Sequence, residues 1–443
     1  MTLTMEAVLA LAPDDASAKA ARGLTAPAKW PLLGANTAAA WGECQGSGSK
    51  PYQTQVDLSG PAFRCSCPSR KFPCKHGLAL LLMRAQDASR FSANEPPAWV
   101  GEWLASRVDK AQKKEERQLE KAAAPVDPQA AAKREAQRWQ RVEAAAEELQ
   151  RWLADQLARG LGALNRETLR TWHTMAARMV DAQAAGLGFR VREAAAGAEQ
   201  GVDGAERTLH RLGLLQLLCD ALQRRSQLSP ALQAELRAAV GWPFDKAEVL
   251  AAGERVVDRW TVLGLLTEER DDKLSERRVW LHGERSGRRA WLLDHAFAGR
   301  GFEQAWLTGS SVEMTMAFFP GTSALRALSV EATGAPGPAV WPQAALSDEW
   351  SAVAARIAAS PWVGLHPFIV GQTVLVRAGD GFVAVAEGRA LRLLIGETDG
   401  WTLMACSGGQ PCQLMGEWDG HALTPLTAWL AAGAAPVWQR SAA

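Results

Sequence analysis

The sequence predicts an α+β protein of several domains. A small β-hairpin and helix module built around a metal comes first, a helical middle follows, and a mainly antiparallel β domain closes the chain. Three observations predict this. A Cys-x-Cys pair and a Cys-x-His pair stand together between residues 65 and 76. Apolar residues recur every three and four positions between 133 and 240. Beyond Pro243, short Val-, Leu- and Trp-bearing runs alternate with turns at a spacing of about ten residues, as in an antiparallel sandwich or barrel.

The bulk properties exclude several classes. With 443 residues the chain has room for two or three domains. Its net charge of +1 gives no global attraction to nucleic acid or membrane, so such binding needs a local patch. Seven cysteines in a chain of this length do not make a disulfide scaffold. Met1 to Leu11 has no basic leader, and no apolar run is long enough to span a bilayer. Thiolate metal ligands suit a reducing cytoplasm.

Residues 1–29 read as an Ala-rich, helical or loose lead-in. Trp30 to Cys67 reads as β structure. Tyr52-Gln-Thr-Gln-Val-Asp-Leu58 alternates apolar and polar residues, the period of a half-buried strand, and Gln45 to Pro51 is a turn-rich connection before it. The segment Phe63-Arg-Cys-Ser-Cys-Pro-Ser-Arg-Lys-Phe-Pro-Cys-Lys-His-Gly77 leads into the apolar run Leu78 to Met83, which reads as a buried helix. Cys65, Cys67, Cys74 and His76 supply three thiolates and one imidazole. That is a closed tetrahedral set for one structural zinc, with no open position for catalysis. Two or three strands and one helix leave the module little core of its own, so it depends on the metal to fold. Trp30, Trp41, Trp99 and Trp103 supply core that the module otherwise lacks.

The motif resembles the SWIM zinc fingers, whose signature is Cys-x-Cys, a variable gap and Cys-x-His. The resemblance covers Trp41 to about Leu82. It extends to bacterial SWIM-containing proteins through Trp41 to Gly48 and the Pro51-Tyr52 pair. It implies nucleic-acid or protein contacts. It also implies a partner of the AAA ATPase or von Willebrand-A type.

No acidic residue lies between Asp57 and Asp87, while Arg64, Arg70, Lys71, Lys75 and Arg84 do. Arg70 and Lys71 occupy the loop between the ligand pairs and could meet phosphates. Phe72 beside them could stack on a base. Equally, Arg64 and Lys75 neutralise the anionic zinc–thiolate centre while Phe72 packs on the helix. Both readings can hold together.

Trp99 to about Ala132 becomes a charged tether of mixed sign, broken by Pro125 and Pro128. In the helical region Trp139, Val142, Ala146, Leu149 and Leu153 form one stripe. Asn165 caps a helix at Arg166-Glu-Thr168, and Thr168 to Gly186 is another helix, carrying Trp172, Met175, Met179 and Val180. His173 there reads as a surface or packing residue. Leu212 to Leu218 is an apolar helix that precedes Ser229-Pro230, the cap and first position of the next. In the β domain, strands are expected at Arg259–Leu266, Arg278–His282, Arg289–His295, Ser311–Phe318, Val374–Arg377, Phe382–Ala386, Leu391–Ile395 and Trp401–Cys406. Ala378-Gly-Asp-Gly381 is a tight hairpin turn. Ser347 to Ala359 is a helix. The domains therefore read as 1–105, 106–132, 133–245 and 246–443.

Cys44 and Cys219 read as small buried residues, and Cys406 and Cys412 flank a turn without pairing. Nucleotide-cradling glycine motifs, His-Glu-x-x-His and Gly-x-Ser-x-Gly do not occur. The sequence thus predicts a zinc-binding, non-enzymatic interaction protein whose zinc supports a basic loop for a protein or nucleic-acid partner. The alternative is sequence-nonspecific DNA or RNA binding through Arg70, Lys71 and Lys75. A third reading is a hydrolase in the β domain, centred on His282, His295 and Asp294.

Overall fold

A helix that is apolar all round needs cover on every side, and the N-terminal module supplies it. In the computed structural model, Lys75–Gln86 form this helix, α3. Residues 5–9, 11–46, 48, 50–58, 62–69, 71–93, 95–107, 109, 113, 127–198, 204–270, 274–297, 302, 304–430 and 435–440 are described. A four-stranded antiparallel meander covers α3 on one side. Its strands are β1 (Leu32–Ala35), β2 (Ala39–Cys44), β3 (Tyr52–Asp57) and β4 (Ala62–Cys65). Helices α1 (Met5–Leu9) and α2 (Asp15–Arg22) cover the other. Their shared core holds Val8, Ala21, Trp30, Val56, Phe63 and Leu78 through Met83. A second small core lies on the sheet's far face, where Val100 and Trp99 of helix α4 (98–107) pack with Ala39 and Trp41. The module is therefore larger than expected. Four strands replace two or three, and the lead-in contributes buried side chains because α3 leaves apolar surface that the sheet alone cannot bury.

Much of the expected tether, at 108, 110–112 and 114–126, lies outside the described residues. Asp127 accepts hydrogen bonds from the amides of Gln129 and Ala130 and starts α5 (Pro128–Arg159), with Pro128 at its first position. The helices α6 (Arg166–Asp181), α7 (Ala185–Ala198), α8 (Gly204–Gln223), α9 (Pro230–Ala239) and α10 (Lys246–Ala252) follow. The α5 stripe, Trp139 to Leu153, is buried against Leu169, Trp172 and Met175 of α6 and Leu215 and Leu218 of α8. Asn165 and Ser229 cap α6 and α9 through their side chains. Among the described residues, no helix is long and apolar enough to cross a membrane.

Two curled antiparallel sheets make the C-terminal region. The first, in order β7-β6-β5-β8-β9, contains β5 (Arg255–Glu269), β6 (Leu274–Gly283), β7 (Arg289–Phe297), β8 (Ser310–Phe318) and β9 (Ala327–Pro338). Helix α11 (Leu346–Ala359) leads into the second. That sheet has the order β12-β11-β10-β13-β14-β15, from β10 (His366–Ala378), β11 (Gly381–Ala386), β12 (Arg389–Leu393), β13 (Cys412–Trp418), β14 (Leu423–Trp429) and β15 (Trp438–Gln439). Helix α12 (Glu397–Ser407) connects β12 to β13. Each sheet curls toward closure. Trp291 on β7 meets Arg326 just before β9 in a parallel bridge, and Leu393 on β12 pairs in parallel with Leu423 on β14. The curl encloses Trp260, Val279, Leu281 and Met314 in the first sheet, and Phe368, Phe382, Leu391 and Leu414 in the second. A third core of Leu263, Trp280, Ile369, Met415 and Trp429 lies between them.

The two-residue turn between Ala378 and Gly381 forms as the Gly-Asp signal predicts, and Gly379 takes the positive φ of 55° that such a turn demands. Two expectations are wrong. The helices expected at Arg166 and at Thr168–Gly186 are one, α6, which ends at Asp181. Trp401 to Cys406 lies in α12, not in a strand. Its buried residues Gly400, Leu403 and Ser407 follow helical spacing, and Glu397 and Asp399 suit the first turn of a helix. The later strands β13 and β14, and β9, carry no separate sequence expectation.

Candidate metal centre

The centre forms where a hairpin runs into a helix. Cys65 closes β4 and lies opposite Thr54 on β3. The hairpin continues one residue further: Ser66 donates its amide to Gln53 and accepts the Gln53 amide with its hydroxyl, each at 3.0 Å. Cys67 therefore follows directly from the ladder. After the intervening loop, Cys74 is the N-cap residue of α3, and His76 lies in its first turn. The four ligand atoms all lie within 4.8 Å of one another. Sγ of Cys65 is 3.8 Å from Nδ1 of His76. For tetrahedral zinc with Zn–S near 2.3 Å, two sulfurs sit about 3.8 Å apart, so the cluster fits one zinc.

The helix start helps to set the charge. The Cys74 thiol is lowered to about 4, chiefly by a hydrogen bond from Cys65 and further by His76 and the Gly77 amide. The Cys65 thiol is pushed up by that same partnership and by burial, and burial pushes Cys67 up. Zinc at this centre would hold all three cysteines as thiolates. Cys74 and His76 are buried, while Cys65 and Cys67 are half-buried.

Surrounding residues not expected to act at the metal pack around the ligands. The Thr54 hydroxyl lies 3.2 Å from Sγ of Cys65. The Tyr52 ring packs on the His76 ring at 5.0 Å. Phe63 occupies the space beside Gly77, where a Cβ would approach it to 2.8 Å, so this helix position requires glycine. Alternation along Tyr52 to Leu58 gives the strand, but only the β3–β4 register shows which of its residues faces the thiols.

The cationic residues separate into groups. Arg64 and Lys75 are exposed, with no ion pair among the described residues. Lys71 is paired with Asp14 at 2.6 Å, which ties the ligand loop to the N-cap of α2. Arg70 lies outside the described residues. Phe72 is 41% exposed and makes an edge contact with Phe63 at 6.0 Å. Arg84 lies over the Phe91 ring at 5.8 Å, away from the loop. Cys44 is buried at the end of β2, outside the four-ligand cluster, and burial pushes its thiol up. Cys219, Cys406 and Cys412 are free thiols.

The β-domain histidines are not brought together. His282 faces Arg289 in the register and lies 2.6 Å from its guanidinium. His295 faces Glu276 at the other end of the β6–β7 ladder. Asp294 accepts from Arg277 and the Trp306 indole. Strand pairing thus separates the residues that adjacent strands suggested as one site.

Residues 52–85 match the family described as SWIM zinc finger. The chain carries a SWIM zinc finger. Residues 137–240 match the SWIM-associated four-helix bundle domain, which identifies the helical middle as the SWIM finger's companion. No curated protein and no solved structure matches the chain.

Proposed function

We propose that the protein is a non-enzymatic adaptor in which a structural zinc fixes the 66–73 loop and presents the SWIM face to a protein partner. The ligand cluster carries this reading: four donors are spent on one ion, which leaves no position for substrate. Arg64, Phe72 and Lys75 form the exposed face around it. The SWIM resemblance points to a partner of the AAA ATPase or von Willebrand-A type, in the cytoplasm. The test is capture of purified proteins of those types by the zinc-loaded chain, with and without chelator. Zinc-dependent capture lost in Arg64→Glu/Lys75→Glu supports the reading, and capture unchanged by both treatments refutes it.

Phosphate contact by the same face is the second reading, favoured by the two unpaired cations. The Lys71–Asp14 pair weakens it, because a lysine already neutralised offers little to a phosphate. A salt titration with DNA and RNA oligonucleotides separates the two. Phosphate contacts weaken steeply as salt rises. No binding at low salt removes the second reading.

A further inference from the structure

The bundle end beyond the zinc finger concentrates positive charge that the fold leaves uncompensated. Arg138 on α5 places its guanidinium carbon 4.1 Å over the Trp242 ring. Arg237 of α9 approaches the same ring at 5.2 Å and covers Phe244 at 4.1 Å. Arg237 is neutralised by a two-pronged contact with Glu248, at 2.9 and 3.0 Å. Arg141, three residues beyond Arg138, is exposed and donates to the neutral amide oxygen of Gln183 at 2.7 Å. Arg138 has no hydrogen bond or ion pair among the described residues, and its buried Nε finds no partner. Glu143 nearby is paired with Arg225 at 3.1 Å. Glu135, one turn before Arg138, is exposed, and among the described residues the two form no ion pair.

Stacking on Trp242 accounts for one guanidinium, at about 0.5–1 kcal/mol for an exposed pair. It does not account for a second cation on the same ring and a third one turn along, which repel the first. Burial, and then the charges of Arg237 and Arg141, hold the Arg138 guanidinium below its usual range. Residues three apart on a helix are neighbours on one face. Guanidinium forks match the oxygens of phosphate and carboxylate groups. Two uncompensated charges favour a dianion, because a carboxylate or a phosphodiester would leave one of them unmatched.

We propose that Arg138 and Arg141 form a binding site for a phosphate dianion, with Arg237 and Trp242 positioning Arg138. The ligand is either inorganic phosphate or a phosphorylated side chain of a partner. The site is independent of the zinc finger's role, so either can fail alone.

The test uses the full zinc-loaded chain at constant ionic strength. Calorimetry follows titration with inorganic phosphate, a phosphoserine peptide, its unphosphorylated form and a DNA oligonucleotide. Saturable binding of phosphate or phosphopeptide is expected, weakened about tenfold or more in Arg138→Gln/Arg141→Gln. It should be unchanged in Arg134→Gln on the exposed turn before. The tighter of the two ligands identifies the source. Arg141→Gln alone, at an exposed position, should show part of the loss if the double variant folds poorly. No binding above a chloride control, equal binding in the variants, or binding of the oligonucleotide alone overturns the proposal.

Discussion

Arg278 on β6 and Glu417 on β13 join the two C-terminal sheets by a two-pronged ion pair, at 2.8 and 3.0 Å. The side chains are 8% and 2% exposed, and the Trp280 indole donates to the same carboxylate at 2.7 Å. Such a pair holds because both carboxylate oxygens accept hydrogen bonds inside the protein. Glu417→Ala leaves the guanidinium buried without its main partner. A loss of about 3–5 kcal/mol is expected in denaturant unfolding. Arg278→Met/Glu417→Leu should lose less than Glu417→Ala, since the buried pair goes whole and Glu268 and Glu276, which also meet Arg278, keep Arg270. A larger loss in the double variant counts against this account.

Cys67→Ser and Cys74→Ser should each abolish stoichiometric zinc, measured by metal analysis of the purified chain. Hydrogen exchange should then rise across 32–86 and at 304–307, because Leu307 and Ala305 pack into the module's core. The second curled sheet should keep its protection, since its own core, including Phe368 and Leu414, does not include residues of the module. One zinc retained in both variants would show that the ligand assignment is wrong.

Thr54→Val removes the hydroxyl beside Sγ of Cys65 while keeping the strand's shape. Groups that orient metal ligands commonly contribute about 10–100-fold to metal affinity. Competition with a chromophoric chelator should show a fall in that range, with the zinc-loaded fold intact. Unchanged affinity would assign Thr54 to packing alone.

Burial, and then the Arg356 charge, holds the His366 imidazole down to about 4. Burial and Arg289 do the same to His282, also to about 4. The unfolded chain takes up these protons near pH 6.5, whereas the folded chain resists them. Each group therefore adds stability that is complete above pH 6.5 and is lost as pH falls toward 4, by about 3 kcal/mol per histidine. Comparing the parent chain with His366→Gln at each pH cancels acid release of zinc, which both share. The variant should show a shallower loss across that window. Parallel curves would remove His366 from the account.

Local chemistry made much of this protein legible. The ligand set was readable because zinc imposes both donor types and their proximity, and Cys65, Cys67, Cys74 and His76 satisfy that demand within one short segment. The α5 stripe, the Asn165 and Ser229 caps and the Gly379-Asp380 turn were readable because each is set by neighbours within a few residues. Trp401 to Cys406 misled, since a short apolar run has no period long enough to separate helix from strand.

Tertiary structure decided whatever depended on partners far apart in the chain. It brought the lead-in helices onto α3, Thr54 to Cys65, Asp14 to Lys71, and Arg278 to Glu417 across 139 positions. It also parted His282 from His295, because antiparallel register puts the ends of one ladder at opposite limits of the sheet. A metal selects its ligands by short-range geometry that a motif can display. Packing, register and charge pairing across the fold are set only when distant segments compete for the same buried surface.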